Sequence, residues 1–168
     1  FRHELPYIES ALSRPRFSTV ATQGFTFQSL VPNFLLCRSV SYGLSGLARE
    51  AIQNHRTAES LHYLLLDLDW SGRFRKGTLI SMMIGVAQLN IALENVEEWV
   101  LESHPSKEQL RQLLLALRAA EPARDEFRRV MEREVYCADL AFRALLDRSG
   151  PNVQEMASIT ESEGGVWP

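Results

Sequence analysis

The sequence predicts an all-α fold of about five or six helices, and three observations carry that expectation. Apolar residues recur at steps of three and four along most of the chain, and no stretch competes with an alternating strand pattern. Gly77 to Leu93 is seventeen residues without a charge, bounded by Lys76 and Glu94, and nothing else in the chain is apolar for so long. The breaks between periodic segments are short and carry helix start and stop chemistry. Short connections between long helices imply antiparallel hairpins in an array or bundle.

Phe1 to Arg14 predicts a short helix with Leu5, Ile8 and Leu12 on one side, ended by Arg14-Pro15, since the residue before proline disfavours helical backbone. Phe17 to Ser29 reads as an ordered loop pinned by Phe17, Phe25 and Phe27. A second helix is expected from Pro32-Asn33 to about His55, with Cys37, Val40, Leu44, Leu47 and Ala51 as its stripe, widened by Leu36, Ala48 and Ile52. Thr57 is the expected cap of a third helix, Ala58 to about Trp70, which buries Leu61, Leu64, Leu65 and Leu68 and stops at Gly72.

The long helix follows, about Thr78 to Ser103. Met82, Val86, Leu89, Leu93, Val96 and Val100 step four, three, four, three, four, and Ile80, Ile84, Ala87 and Ile91 run beside them. Two apolar rows predict a helix covered on most of its circumference. A membrane span is the competing reading, but Ser81, Gly85, Gln88 and Asn90 interrupt the run and Glu94, Glu97 and Glu98 close it. Ser106 and Gln109 have capping-box spacing for a fifth helix, Lys107 to about Ala120, with Leu110, Leu113, Leu114 and Leu117 inward. Pro122 suits the first turn of a sixth, to about Arg148, with Phe127, Met131, Val135, Ala138, Phe142 and Leu145 as its stripe. Residues 1–150 thus form one domain, of which 1–29 are a short helix and loop, and 151–168 a peripheral tail.

A chain of 168 residues buries enough surface to stand without staples. Cys37 and Cys137 both fall in helical patterns and read as small buried hydrophobes. Net charge is −3, and Arg124, Arg128 and Arg129 interleave with Asp125, Glu126, Glu132 and Glu134, so ion pairs along the helix are expected rather than nucleic-acid contact. No nucleophile elbow, zinc-protease motif or phosphate loop occurs. Glu59 and His62 form one E-x-x-H step, the spacing by which a helix offers a glutamate and a histidine to one metal, but a di-iron bundle needs a second such step. Neither a metal nor another cofactor is therefore expected, and Glu59 and His62 read as a solvated surface. The opening at Phe1 leaves room for an upstream leader or envelope anchor.

Two rows stand out as a candidate partner site. Arg38, Tyr42, Ser45 and Arg49 step four, three, four on the second helix, and Ser81, Gly85, Gln88, Ala92 and Asn95 form a small-and-amide row on the long one. Stacked hairpins would let such rows line a concave surface, where Arg and Tyr suit capture of a peptide. Gly46 to Gly72 resembles a degenerate tetratricopeptide-type hairpin. Leu44, Leu47, Ala48 and Ala51 match its first helix, and Ser60 and Leu64 its second. The match covers about one-sixth of the chain, no Trp opens it, no Pro closes it, and Asp67 stands where a small residue is usual. The alternation of long and short helices also resembles an uncharacterised set of bacterial helical-hairpin proteins. The resemblance implies a non-enzymatic scaffold or protein-interaction module with a protein or peptide partner. The alternative is a helical-bundle enzyme or a small-ligand or metal-binding protein with a pocket near His62. No membrane contact is expected from this segment, and a homodimer through exposed Trp70 or Trp99 is a further expectation.

Overall fold

The computed structural model describes residues 1–14, 34–75 and 78–146. Among them are six helices and no strand: α1 (Leu5–Ser13), α2 (Phe34–Gln53), α3 (Thr57–Phe74), α4 (Leu79–Glu102), α5 (Lys107–Ala120) and α6 (Glu126–Leu146). The loop expected over 17–29 and the tail over 151–168 lie outside the described residues.

Local chemistry explains most of the boundaries. Thr78 caps α4 by accepting the Ser81 amide proton at 3.2 Å. The Ser106–Gln109 capping box forms in both directions. Three expected boundaries are corrected. Arg56, not Thr57, is the N-cap of α3, and the Thr57 hydroxyl instead donates to the Ser103 carbonyl at 3.3 Å. Gly72 lies inside α3, which continues to Phe74 because Trp70, Ser71 and Phe74 are all buried there. Packing of those side chains outweighs the ~1 kcal/mol penalty of a helical glycine. Nor does Pro122 lie in the first turn of α6, which starts at Glu126.

The core is centred on α2, α3 and α4, which pack mutually, with α5 against α3. Leu44, Leu47, Ala48, Ala51 and Ile52 of α2 meet Leu61, Leu64 and Leu68 of α3 as their spacing predicts. A second cluster joins Ile8 and Leu12 of α1 to Trp70 and Phe74. Trp70 and Trp99, expected as exposed dimer contacts, are both buried, and each indole donates to a backbone carbonyl, Cys37 and Thr57 respectively, at 3.3 Å.

The central helix faces the opposite way from the expectation. Ser81, Gly85, Gln88, Ala92, Asn95, Val96 and Trp99 are its buried residues. Ile80, Met83, Val86, Leu93 and Val100 are exposed, Val86 to 38% and Met83 to 65%. The cause is close approach. A Cβ on Gly85 would stand 2.6 Å from Arg75 Cγ and 2.9 Å from the Ser71 carbonyl oxygen, so only a small-residue face lets α4 lie this near α3. By length and composition alone α4 meets the requirement for a membrane span, with a mean hydropathy of 1.4 over its most apolar window.

The expected stripe of α6 is also turned outward. Phe127, Val135 and Phe142 are exposed, while Val130 is buried. Two carboxylates hold this helix in place. Glu134 Oε1 accepts the Leu79 amide proton at 2.6 Å, and Glu126 Oε1 stands 3.6 Å from Nε of the buried Arg75. On α5, Leu113 is buried as expected, but Leu110 and Leu114 are exposed because α5 packs on α3 through one side only.

Candidate functional site

The two rows expected to line one surface meet instead inside the protein. Ser45, Gln88 and Asn95 are buried, the last two completely, so they cannot touch a partner. They build a polar seam through the α2–α3–α4 junction. Asp67 on α3 is its centre: the Ser41 hydroxyl donates to Oδ1 at 2.5 Å and the Ser45 hydroxyl to Oδ2 at 3.3 Å. Asn95 Nδ2 donates to Ser45 Oγ at 2.7 Å, and Arg49 Nε donates to Asn95 Oδ1 at 2.9 Å. Arg49 lies 3.2 Å from Glu98 at the surface end. Gln88 Nε2 donates to the Cys37 carbonyl at 3.0 Å.

Burial pushes the Asp67 carboxyl up to about 7, against the smaller downward pull of the Ser41 and Ser45 hydroxyls. This residue stands where the tetratricopeptide pattern calls for a small side chain. The signal that could have found it is the pair Ser41 and Ser45, one turn apart on the apolar side of α2, where hydroxyls need a buried polar partner.

What remains open of the expected row is the pair Arg38 and Tyr42, with the outer part of Arg49. The Arg38 guanidinium lies 5.2 Å from the centre of the Tyr42 ring and donates to its hydroxyl at 2.6 Å. The two side chains satisfy each other on an exposed helix face.

Glu59 and His62 do not converge. Glu59 takes the Tyr63 hydroxyl at 2.8 Å and an Arg56 guanidinium nitrogen at 2.6 Å, and these contacts, the tyrosine first, hold its carboxyl below the usual range. His62 Nε2 is 2.8 Å from Glu9 of α1 on the other flank. Among the described residues no three His, Cys, Asp or Glu side chains gather as a ligand set. Cys37 is a free, half-buried thiol whose pKa burial raises, which disfavours the nucleophilic thiolate.

An apolar cleft beside α4, about 320 Å³, lies against α5 between Leu89, Leu93, Leu117 and Pro122, rimmed by Arg118 and Glu121. No buried polar group converges on it, which is what a small-molecule site requires. The feature that remains is the outward row of α4: Ile80, Met83, Val86 and Leu93, with no charge among the residues from Leu79 to Leu93. Phe127 of α6 adds to the exposed apolar surface. No protein-family model, curated protein or solved structure matches this chain.

Proposed function

We propose that this chain is a non-enzymatic protein-interaction module whose contact face is the outer row of α4. It is a helical scaffold with antiparallel, tetratricopeptide-like hairpin character, and it has a protein partner. The observation that carries the reading is the outward placement of Ile80, Met83, Val86 and Leu93. Soluble proteins seldom leave a contiguous apolar patch open unless something docks there. The polar chemistry is spent inside the fold, where Asp67, Ser45, Asn95 and Arg49 bond one another rather than a substrate.

A photo-crosslinking side chain at Val86 tests this in extracts of the source cell, with the same probe at Tyr42 as control. The expected result is a discrete adduct from Val86 that disappears in Met83→Glu. Equal, diffuse labelling from both positions would end the reading. A second reading, peptide capture by Arg38 and Tyr42, rests on the exposed guanidinium–ring pair. It predicts the discrete adduct at Tyr42, lost in Arg38→Ala at an unchanged melting temperature, since among the described residues Arg38 bonds only Tyr42, on an exposed face.

A further inference from the structure

We infer that α6 is a separable arm, latched to the core by two carboxylates and free to lift as a unit while α2, α3 and α4 stay folded. The inference does not depend on which partner takes the outer row of α4.

Apolar burial does little to hold α6. Val130 is its one buried side chain among those described, and Phe127, Val135, Tyr136 and Phe142 all face solvent. By comparison α3 buries nine residues. The contact of α6 with the other helices is chiefly with α4.

The inward row of α6 is Glu126, Val130 and Glu134, one residue per turn. Glu134 Oε1 accepts the amide proton of Leu79 at 2.6 Å. Leu79 is the first residue of α4, where the positive end of the helix dipole favours a carboxylate. Glu126, two turns and about 12 Å earlier along α6, faces Arg75 instead. Arg75 belongs to the core: it is buried, and its stem lies so close to Gly85 that a Cβ there would stand 2.6 Å from Arg75 Cγ.

The Arg75–Glu126 contact is incomplete. Arg75 Nε and Glu126 Oε1 stand 3.6 Å apart, and the two side chains are only 2% and 12% exposed. Among the described residues, Arg75 Nε, Arg75 Nη1 and Glu126 Oε1 have no hydrogen-bond partner. Enclosed charges offset their lost hydration only when good geometry and further hydrogen bonds complete the pair. Here they do not, and lifting α6 returns both groups to water. One well-made bond at Glu134 and one buried valine therefore hold the arm against a pair that gains by separating.

The arm also carries its own means of staying helical when lifted. Arg128 pairs with Glu132 and Arg143 with Asp139, each four residues apart. At its start Glu126 Oε2 accepts the Ala123 amide proton at 3.1 Å. The connection from α5 is exposed from Glu121 through Arg124 and supplies the hinge.

Hydrogen exchange of the full chain, read by mass spectrometry, tests the arm. In the parent, amides of residues 130–136 should exchange at least about tenfold faster than those of residues 61–68 in the core. Glu126→Gln with Glu134→Gln removes both latches and leaves Arg75 without a counter-charge. In that variant the α6 amides should accelerate by on the order of 100-fold, with those of α2, α3 and α4 unchanged. Arg75→Met with Glu126→Met puts an apolar contact in place of the ion pair, and should return α6 exchange to the parent rate or slow it further. Acceleration shared equally by α6 and the core makes α6 part of one cooperative unit and overturns the arm. Amides of α6 unmoved by the two glutamines overturn the latch, as does a methionine pair that frees α6 as fully as the glutamines do.

Discussion

Asp67 has two serine hydroxyls for partners and, among the described residues, no cation in direct contact. The groups facing it are Ser41 and Ser45 from α2, with Asn95 from α4 standing behind Ser45 and Arg49 behind Asn95. In the unfolded chain its carboxyl titrates near the ordinary 3.8, and in the fold near 7. Between those values the folded chain holds a proton that the unfolded chain has released. The contribution to stability is therefore full below pH 4 and is lost as pH rises through about 7, by on the order of 4 kcal/mol. Asp67→Asn removes that titration and keeps the shape. Urea unfolding of the variant should show a weaker decline between pH 5 and 8 than the parent, and greater stability at pH 8. An equally steep decline would place the titrating group elsewhere. The sequence did not announce this residue: Asp67 and Asp69 in Leu66-Asp67-Leu68-Asp69 are two apart and so face different sides of a helix, and nothing local says which side is enclosed. Only tertiary packing shows which of them is enclosed: Asp69 is exposed and pairs with Arg73 at 3.0 Å.

On α4 and α5 the helix starts were more legible than the faces, whereas on α2 and α3 the faces were read correctly. Thr78, Ser106 and Gln109 act through bonds to amides three residues away, so their effect is written in local order. The orientation of α4 is not local. Apolar side chains surround most of its first half, and a 3.6-residue period then fits several faces equally well. Which face goes inward was decided by which one could approach α3 most closely, and by amides that found partners on α2. Periodicity placed Val86 and Leu93 inside; close packing put Gly85 and Asn95 there instead. The glycines make the point measurable. Nothing lies within 4 Å of a Cβ built on Gly46, whereas one on Gly85 would meet Arg75 N at 2.8 Å. Gly46→Ala should stabilise the protein by about 0.5–1 kcal/mol. Gly85→Ala should destabilise it by about 1–3 kcal/mol through overpacking, despite the same gain in helix propensity. Denaturant midpoints of the pair would reverse the assignment if they moved in the same direction.

For the molecule as a whole, the described core is built by α2, α3 and α4, with α1 and α5 laid on α3 and α6 joined to α4. Fold class and helix number followed from the sequence because they depend on period and breaks alone. The candidate surface did not follow, since it depended on a packing choice that the composition of α4 leaves open. That choice predicts an unusual mutational pattern. Leu64→Ala, at a fully buried position, should cost about 2–5 kcal/mol, whereas Val86→Ala, at a position open to solvent, should cost well under about 1 kcal/mol. Thermal melts of the two variants would check this, and comparable losses at the two sites would place Val86 back in the core.

The amide seam on α4 also governs how that helix can move. Smooth hydrocarbon contacts tolerate small slips, but Gln88 is keyed to the Cys37 carbonyl, Asn95 to Ser45 and Trp99 to Thr57. Advancing α4 by one turn, about 5.4 Å, would unseat all three teeth together. The helix is therefore notched in place: it stays in its slot or leaves it, with no rest position between.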